Sequence, residues 1–138
     1  MDRPRSTPDS LSLRRDQLWD GLIALLARGD STYHGGLFPV AEHARLNDRL
    51  RRLFPFVSLN RLCFSRCSDF PYTNDCPAIG VDRNGRYGVT ATCYPTPRLV
   101  DGVSVPLGDE TDNPAEAVAI AAAHVPADAE VWLGSRTD

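Results

Sequence analysis

The sequence predicts an α+β fold: two N-terminal helices, an antiparallel sheet of four to five strands, a C-terminal helix and a short closing strand. Leucines recur at helical spacing early in the chain, strand formers and turn signals fill its middle, and a helix-capping pattern precedes an alanine-rich segment. A chain of 138 residues has the size of one ordinary domain. We therefore assign residues 10–138 to a single domain and the polar, proline-containing residues 1–9 to a disordered arm.

Composition excludes several classes of function. All 15 basic residues are arginines, so lysine is absent as a Schiff base or a general base. The net charge of −3 argues against general nucleic-acid binding. No apolar run is long enough to cross a bilayer, so we expect no membrane partner. The polar start lacks the apolar segment of a signal peptide, and we expect a cytoplasmic protein with reduced thiols.

The first helix is predicted over residues 11–28. Its leucines recur at helical spacing, and Gly29 suits the position just after a helix end. The loop that follows, DSTYHGG, places His34 beside two glycines. A histidine in a glycine-rich loop can approach a substrate as a general base, so His34 is a predicted catalytic residue.

The second helix is predicted over residues 40–54, and Pro55 ends it. Its apolar stripe consists of three leucines: Leu46, Leu50 and Leu53. Its other face carries three arginines: Arg45, Arg49 and Arg52. Such a face suits an acidic partner, because guanidinium groups bind carboxylates and phosphates. An alternative function is therefore a non-catalytic accessory protein that binds a partner enzyme or a carrier protein through this helix.

The middle of the chain predicts the sheet. One strand is expected over residues 57–67, followed by a hairpin with arms at 78–82 and 86–94. A smaller hairpin is expected around Asp101-Gly102. These segments account for the four to five strands of the predicted sheet.

The main hairpin has two possible registers. A two-residue turn at the Asn-Gly sequence pairs Val81 with Gly88, whereas a three-residue loop pairs Val81 with Tyr87. The second register aligns apolar side chains with each other, and burial of one face fixes register strongly. We therefore prefer it. It places Cys93 on the core face of the sheet and Cys76 on the opposite face.

The last helix has the clearest start signal. Asn113 is a good N-cap, Pro114 follows at the first helical position, and Glu116 completes a capping-box pattern. The helix is expected to continue to His124, where the helix dipole explains an imidazole at the C-terminal end. A closing strand is expected over residues 130–133.

The segment 61–77, RLCFSRCSDFPYTNDCP, is the most specialised part of the sequence. Cys63 and Cys67 are predicted on one strand, about 13 Å apart, so one metal ion cannot bind both unless the strand bends, and we predict no metal site. Cys63 and Cys93 are interpreted as small core residues. Cys67 and Cys76 flank a loop and are expected to be exposed, which makes them the candidate nucleophiles.

The loop between those two cysteines predicts a ligand pocket. It combines aromatic rings, amides and carboxylates, a mixture typical of binding loops set on a sheet. Asp75 is the predicted acid or base, together with His34. The predicted substrate-binding residues are Arg66, Phe70, Tyr72 and Asn74. The residues leave a second interpretation open, in which the loop is packed by its own side chains and turn hydrogen bonds.

Three strings of the sequence resemble a family: PFVSLNRLCFSRCSDFPYTNDCP, GRYGV and LGDETDNPAEAVAIAAAHVP. The resemblance covers about residues 44–126 and is to uncharacterised actinomycete proteins associated with natural-product biosynthesis. A composition rich in arginine, alanine and proline also favours the GC-rich genome of an actinomycete. Leu59 stands where these relatives often carry histidine or another polar residue. The resemblance implies a cytoplasmic biosynthetic context and leaves the reaction open.

The leading functional prediction is a small enzyme that uses no cofactor. It performs an isomerisation, a cyclisation or a hydrolysis on a small biosynthetic intermediate, in a pocket beside residues 68–76. The sequence does not fix the oligomeric state.

Overall fold

A computed structural model of the protein describes residues 8–28, 36–82, 84–93, 98–105 and 108–136. The helices are α1 (Pro8–Ala27), α2 (Leu37–Leu46) and α3 (Pro114–Ala122), with a short 3-10 helix at Leu50–Arg52. The strands are β1 (Phe54–Ser58), β2 (Arg61–Ser65), β3 (Ala78–Val81), β4 (Tyr87–Thr90), β5 (Arg98–Val100), β6 (Val103–Val105) and β7 (Asp109–Thr111). The predicted α+β class is confirmed. Residues 1–7 of the predicted arm, Gly29 and His34 lie outside the described residues.

Trp19 fixes α1 against the sheet. Its side chain is buried, its indole Nε1 donates a hydrogen bond to the carbonyl oxygen of Leu53 at 3.1 Å, and its ring lies 6.2 Å from that of Phe64. The helix begins at Pro8, three residues before the predicted start. None of the helices within the described ranges combines the length and the apolar character needed to span a membrane.

The predicted second helix is too long. It ends at Leu46 because the side-chain oxygen of Asn47 accepts the backbone N–H groups of Arg49 and Leu50, at 2.9 and 3.1 Å. An asparagine that bonds ahead along its own backbone starts a new turn instead of continuing the old one. As a result Leu46 is 79% exposed, whereas Leu50 is buried.

The predicted single strand over residues 57–67 is wrong. β1 and β2 form a hairpin in which Ser58 pairs with Arg61 across a two-residue turn. Leu59 takes a left-handed backbone conformation there, with φ at 56°, and its side chain is exposed. Asn60 donates its side-chain amide to the carbonyl of Val81 and so ties the turn to β3.

The five main strands form one antiparallel sheet in the order β1-β2-β3-β4-β7. The preferred hairpin register is confirmed, since Ile79 pairs with Val89 and Val81 with Tyr87. β5 and β6 form the expected smaller hairpin, separate from this sheet. β7 was not predicted individually and completes the sheet beside β4.

The cap of α3 is confirmed in its main part. The side-chain oxygen of Asn113 accepts the N–H groups of Ala115 and Glu116, at 2.9 and 3.3 Å. In a capping box, the Glu116 side chain would accept the backbone N–H of Asn113. Here that N–H donates instead to Thr111 Oγ1, at 3.1 Å. The helix stops at Ala122, before the predicted His124.

The helices cover one face of the sheet, and the main core lies between the helices and that face. A smaller cluster of Phe56, Cys63, Ala78 and Cys93 lies on the other, outer face. The predicted faces of two cysteines are therefore reversed: Cys76 belongs to the main core and Cys93 to the outer cluster. The prediction assumed that side chains alternate between the two faces as far as these cysteines. Neither cysteine lies on a strand, because Cys93 follows the end of β4 and Cys76 precedes β3.

Candidate functional site

The chain leaves the sheet after Ser65 and forms a loop at residues 66–76, called the 66–76 loop below. The buried hydroxyl of Ser65 accepts the backbone N–H groups of Cys67 and Thr73, both at 3.1 Å. The Thr73 hydroxyl lies 3.3 Å from it and accepts the N–H of Arg66 at 2.9 Å. These bonds close the loop around one serine side chain.

The C-terminal segment, residues 132–136, supports the 66–76 loop from outside. The predicted closing strand is present here as one parallel bridge between Cys67 and Trp132. Four backbone hydrogen bonds join the two segments: Trp132 N to Arg66 O at 2.9 Å, Ser68 N to Trp132 O at 3.2 Å, Asp69 N to Gly134 O at 2.9 Å, and Arg136 N to Pro71 O at 2.9 Å. The loop is therefore held along most of its length.

Cys67 and Cys76 are buried, so the predicted exposure of both thiols is wrong. Cys67 lies under the loop, where its Sγ contacts the carbonyl oxygens of Asp69 and Pro71 at 3.6 Å. Burial, with the nearby charge of Asp75, raises the pKa of Cys76 to about 12. A thiol with this pKa is neutral at pH 7, which gives the predicted nucleophile at Cys76 no support from its surroundings.

Cys63 and Cys93 fit the interpretation as small core residues. Both are fully buried in the outer cluster, and neither is in a disulfide. A hydrogen bond to Cys93, together with burial, raises the pKa of Cys63 strongly. The pair thus contributes packing on the outer face of the sheet.

An ion pair marks one side of the 66–76 loop. Arg66 Nη2 and Nε approach Asp75 Oδ2 at 2.6 and 3.0 Å, and the guanidinium carbon lies 5.1 Å from the centre of the Trp132 ring. Burial alone would raise the pKa of Asp75, but the hydrogen bond and charge of Arg66 outweigh it and lower that pKa. Asp75 is therefore an ionised carboxylate at neutral pH.

This ion pair lines a cavity of about 380 Å³ that we call the acidic cleft. Its polar lining consists of Arg66, Asp75, Cys76, His124, Asp128 and Glu130. His124 enters it from the turn that follows α3. The cleft thus combines an ionised carboxylate with an imidazole, two groups able to accept and donate protons.

An array of aromatic rings marks the other side of the loop. Tyr72 stacks on Phe56 with ring centres 4.1 Å apart and an angle of 16° between the rings. Phe70 meets Tyr72 edge-on, at 5.9 Å and 86°, and remains 80% exposed. The array lines a cavity of about 420 Å³ that we call the aromatic cleft. Its lining includes Phe56, Ser58, Phe70, Tyr72, Asn74 and Arg136.

The sequence-predicted site residues are divided between the two clefts. Arg66, Asp75 and Cys76 line the acidic cleft, whereas Phe70, Tyr72 and Asn74 line the aromatic cleft. Cys67 lines neither of them. The lining residues that sequence reasoning missed include Phe56, His124 and Arg136. Of these, Phe56 and His124 lie within the strings that carry the family resemblance, and Arg136 had no signal in the sequence.

The arginines of the predicted docking face bind within the chain. Arg45 pairs with Asp20, Arg49 Nη1 donates to the carbonyl of Val125 at 3.0 Å, and Arg52 donates to the carbonyl of Ala127. Arg49 and Arg52 thereby donate hydrogen bonds to two backbone carbonyls in the segment that follows α3. Within the described ranges, no three His, Cys, Asp or Glu side chains are grouped so as to hold a metal ion.

Residues 17–133 match a family of unknown function (DUF6193). The chain belongs to this family. No curated protein and no solved structure matches it. Membership of an uncharacterised family was expected from the sequence, and the match is longer than the expected residues 44–126. It includes every residue named above as lining the acidic cleft, and all of those in the aromatic cleft except Arg136.

The burial of the cysteines predicts their reactivity. Native protein at pH 7.5 should react slowly with iodoacetamide at all four thiols, because each is buried and the thiolate is the reactive form. Protein unfolded in guanidinium chloride should be alkylated at all four. Mass spectrometry of both samples counts the adducts. Rapid native labelling of Cys67 or Cys76 would restore the nucleophile prediction.

The role of Ser65 predicts a stability loss. Ser65→Ala leaves two buried N–H groups without their acceptor, which costs about 1–3 kcal/mol each when such a group stays unsatisfied. We expect urea unfolding to show a loss of at least about 1 kcal/mol. The matched control is Ser12→Ala on the exposed side of α1, which should leave stability nearly unchanged. Equal stability of the two variants would contradict the organising role of Ser65.

Proposed function

We propose that the protein binds a small aromatic intermediate of natural-product biosynthesis in the aromatic cleft. The carrying observation is the exposure of Phe70: a phenyl ring 80% exposed, held edge-on to the stacked pair of Tyr72 and Phe56. Large apolar side chains at the rim of a concave, largely apolar cavity are typical of ligand sites. The actinomycete source and the cytoplasmic location belong to the same proposal and rest on the sequence.

The geometry of the rings indicates which ligands fit. The Phe70 ring stands nearly perpendicular to the Tyr72 ring, so the cleft offers both ring faces and ring edges to an occupant. Aromatic pairs prefer such edge-to-face and offset arrangements. Asn74 and Arg136 supply an amide and a positive charge at the same cavity. These features favour a planar aromatic molecule with a polar or acidic substituent.

A second candidate is proton-transfer catalysis in the acidic cleft. The observation that favours it is the ionised Asp75, held by Arg66 in the same cavity as His124. Asp75 would accept a proton from the intermediate and His124 would return one at another position, so the substrate keeps its composition. Asp75 would then release its proton to solvent and His124 would take one up, which restores both groups. This is the cofactor-independent enzyme that the sequence predicts, with His124 added to its predicted catalytic residues.

The accessory-protein alternative has weaker support. A partner enzyme or carrier protein bound through Arg45, Arg49 and Arg52 would compete with the contacts these side chains make inside the chain. Arg49 and Arg52 would each have to release a backbone carbonyl. The aromatic cleft requires no such rearrangement, which is why ligand binding is the leading proposal.

Removing the exposed ring tests the leading proposal. Phe70→Ala should weaken binding of indole-3-acetate, used as an aromatic acid probe, about threefold to tenfold, because one aromatic pair contributes about 0.5–1.5 kcal/mol. NMR titration measures the dissociation constant. Leu46→Ala is the matched control, since that side chain is 79% exposed and lies away from the cleft. Equal affinity in both variants, or no binding to the unaltered protein, would overturn the proposal.

The catalytic candidate has its own test. Purified protein would be incubated in deuterated water with candidate aromatic intermediates, and product formation or deuterium uptake would be followed by mass spectrometry. Asp75→Asn should reduce turnover at least about 100-fold, the usual contribution of a general base. Asp48→Asn, which changes an exposed carboxylate that lines neither cleft, is the control. Full turnover by Asp75→Asn would exclude Asp75 as the base.

A further inference from the structure

The outer face of the sheet carries a strip without side chains. Gly80 on β3 and Gly88 on β4 pair directly with each other, with Arg61 of β2 on one side of them and Glu110 of β7 on the other. The two glycines form the floor of a trough of about 250 Å³, which Asp82 and Arg86 also line. The backbone at Gly88 is thus open to an occupant at the centre of the sheet.

The fold does not require a glycine at position 88. A Cβ atom built there meets nothing within 4 Å, and the backbone lies outside the left-handed region. Gly108 is different, because a Cβ there would lie 1.7 Å from the carbonyl oxygen of Val89. A glycine inside a strand reduces stability, and it often marks a place where a ligand or another backbone approaches closely.

The charges around the trough favour an anion. The aliphatic part of the Arg61 side chain lies over Gly80, where its Cγ would be 3.4 Å from a Cβ atom placed on that glycine. The guanidinium of Arg61 donates one hydrogen bond to the carbonyl oxygen of Cys93, at 2.8 Å. Within the described residues, no carboxylate pairs with Arg61. The two acidic groups are already engaged: Asp82 accepts two backbone N–H groups of its turn, and Glu110 pairs with Arg86 at 3.1 Å.

We propose that this trough is a second binding site, distinct from both clefts, for a flat molecule that carries a carboxylate. The planar part lies on the peptide groups of Gly88, which no side chain covers, beside the stem of Arg61 over Gly80. The carboxylate accepts hydrogen bonds from the guanidinium of Arg61. The proposal is independent of ligand binding in the aromatic cleft, because the two cavities share none of their lining residues.

Site-resolved NMR tests the proposal with benzoate as the probe. In ¹⁵N-labelled protein, the amide signals of Gly80 and Gly88 should shift and saturate with benzoate. Benzamide, the neutral analogue of the same shape, should shift them at least fivefold less at equal concentration. Shifts confined to Phe70, Tyr72 and Asn74 would place benzoate in the aromatic cleft alone and overturn the second site.

Substitution at position 88 provides the matched test. Gly88→Val fills the trough and should abolish the benzoate response while the melting temperature stays equal or rises, and Gly88→Ala should weaken the response in a smaller step. Gly21→Ala is the control, because a Cβ on that α1 residue also meets nothing within 4 Å but lies away from the sheet. A melting temperature lowered by Gly88→Ala would mean that the fold needs this glycine and would contradict the proposal. So would an unchanged benzoate response in Gly88→Val.

Discussion

Ser65 is the last residue of β2, and its buried hydroxyl bonds to both ends of the segment that departs from the sheet there. The backbone of the 66–76 loop lies outside the sheet, so its N–H groups cannot bond to a neighbouring strand and need other acceptors. One serine oxygen supplies two of these acceptors, and the Thr73 hydroxyl beside it supplies a third. The ion pair and the aromatic array both depend on this arrangement, because Arg66, Asp75, Phe70 and Tyr72 all belong to the loop that it closes.

Two clefts of opposite character result from one loop. Residues 70–74 face the aromatic cleft, and residues 75 and 76 line the acidic cleft on the other side. The charged side is stabilised by the Arg66–Asp75 pair and by the Trp132 ring beneath the guanidinium. The apolar side keeps its rings in contact with one another. The carboxylate of Asp75 is partly buried, and its pairing with Arg66 offsets the cost of removing that charge from water.

The features that the sequence predicted correctly are those set by local patterns. The cap at Asn113 depends on neighbours within three residues, and the register of β3 with β4 follows from the alternation of Val81, Tyr87 and Val89. The β1–β2 turn was missed because Leu59-Asn60 contains neither glycine nor proline, although its first residue is left-handed.

Other errors come from contacts between distant parts of the chain. Cys67 was expected to be exposed, but the segment around Trp132 covers the loop that carries it, and nothing near Cys67 in sequence signals that contact. His124 lines the same cleft as Asp75 for the same kind of reason, since the turn after α3 reaches the acidic cleft only in the folded chain. Pattern reasoning located the 66–76 loop, and tertiary packing decided which of its residues face which cleft.

The family match ends at residue 133, while the backbone hydrogen bonds that join the loop to Gly134 and Arg136 lie beyond it. One charged group of the aromatic cleft, Arg136, therefore lies outside the matched region. A substitution at Arg136 can change the charge of that cleft without touching the sheet or the main core.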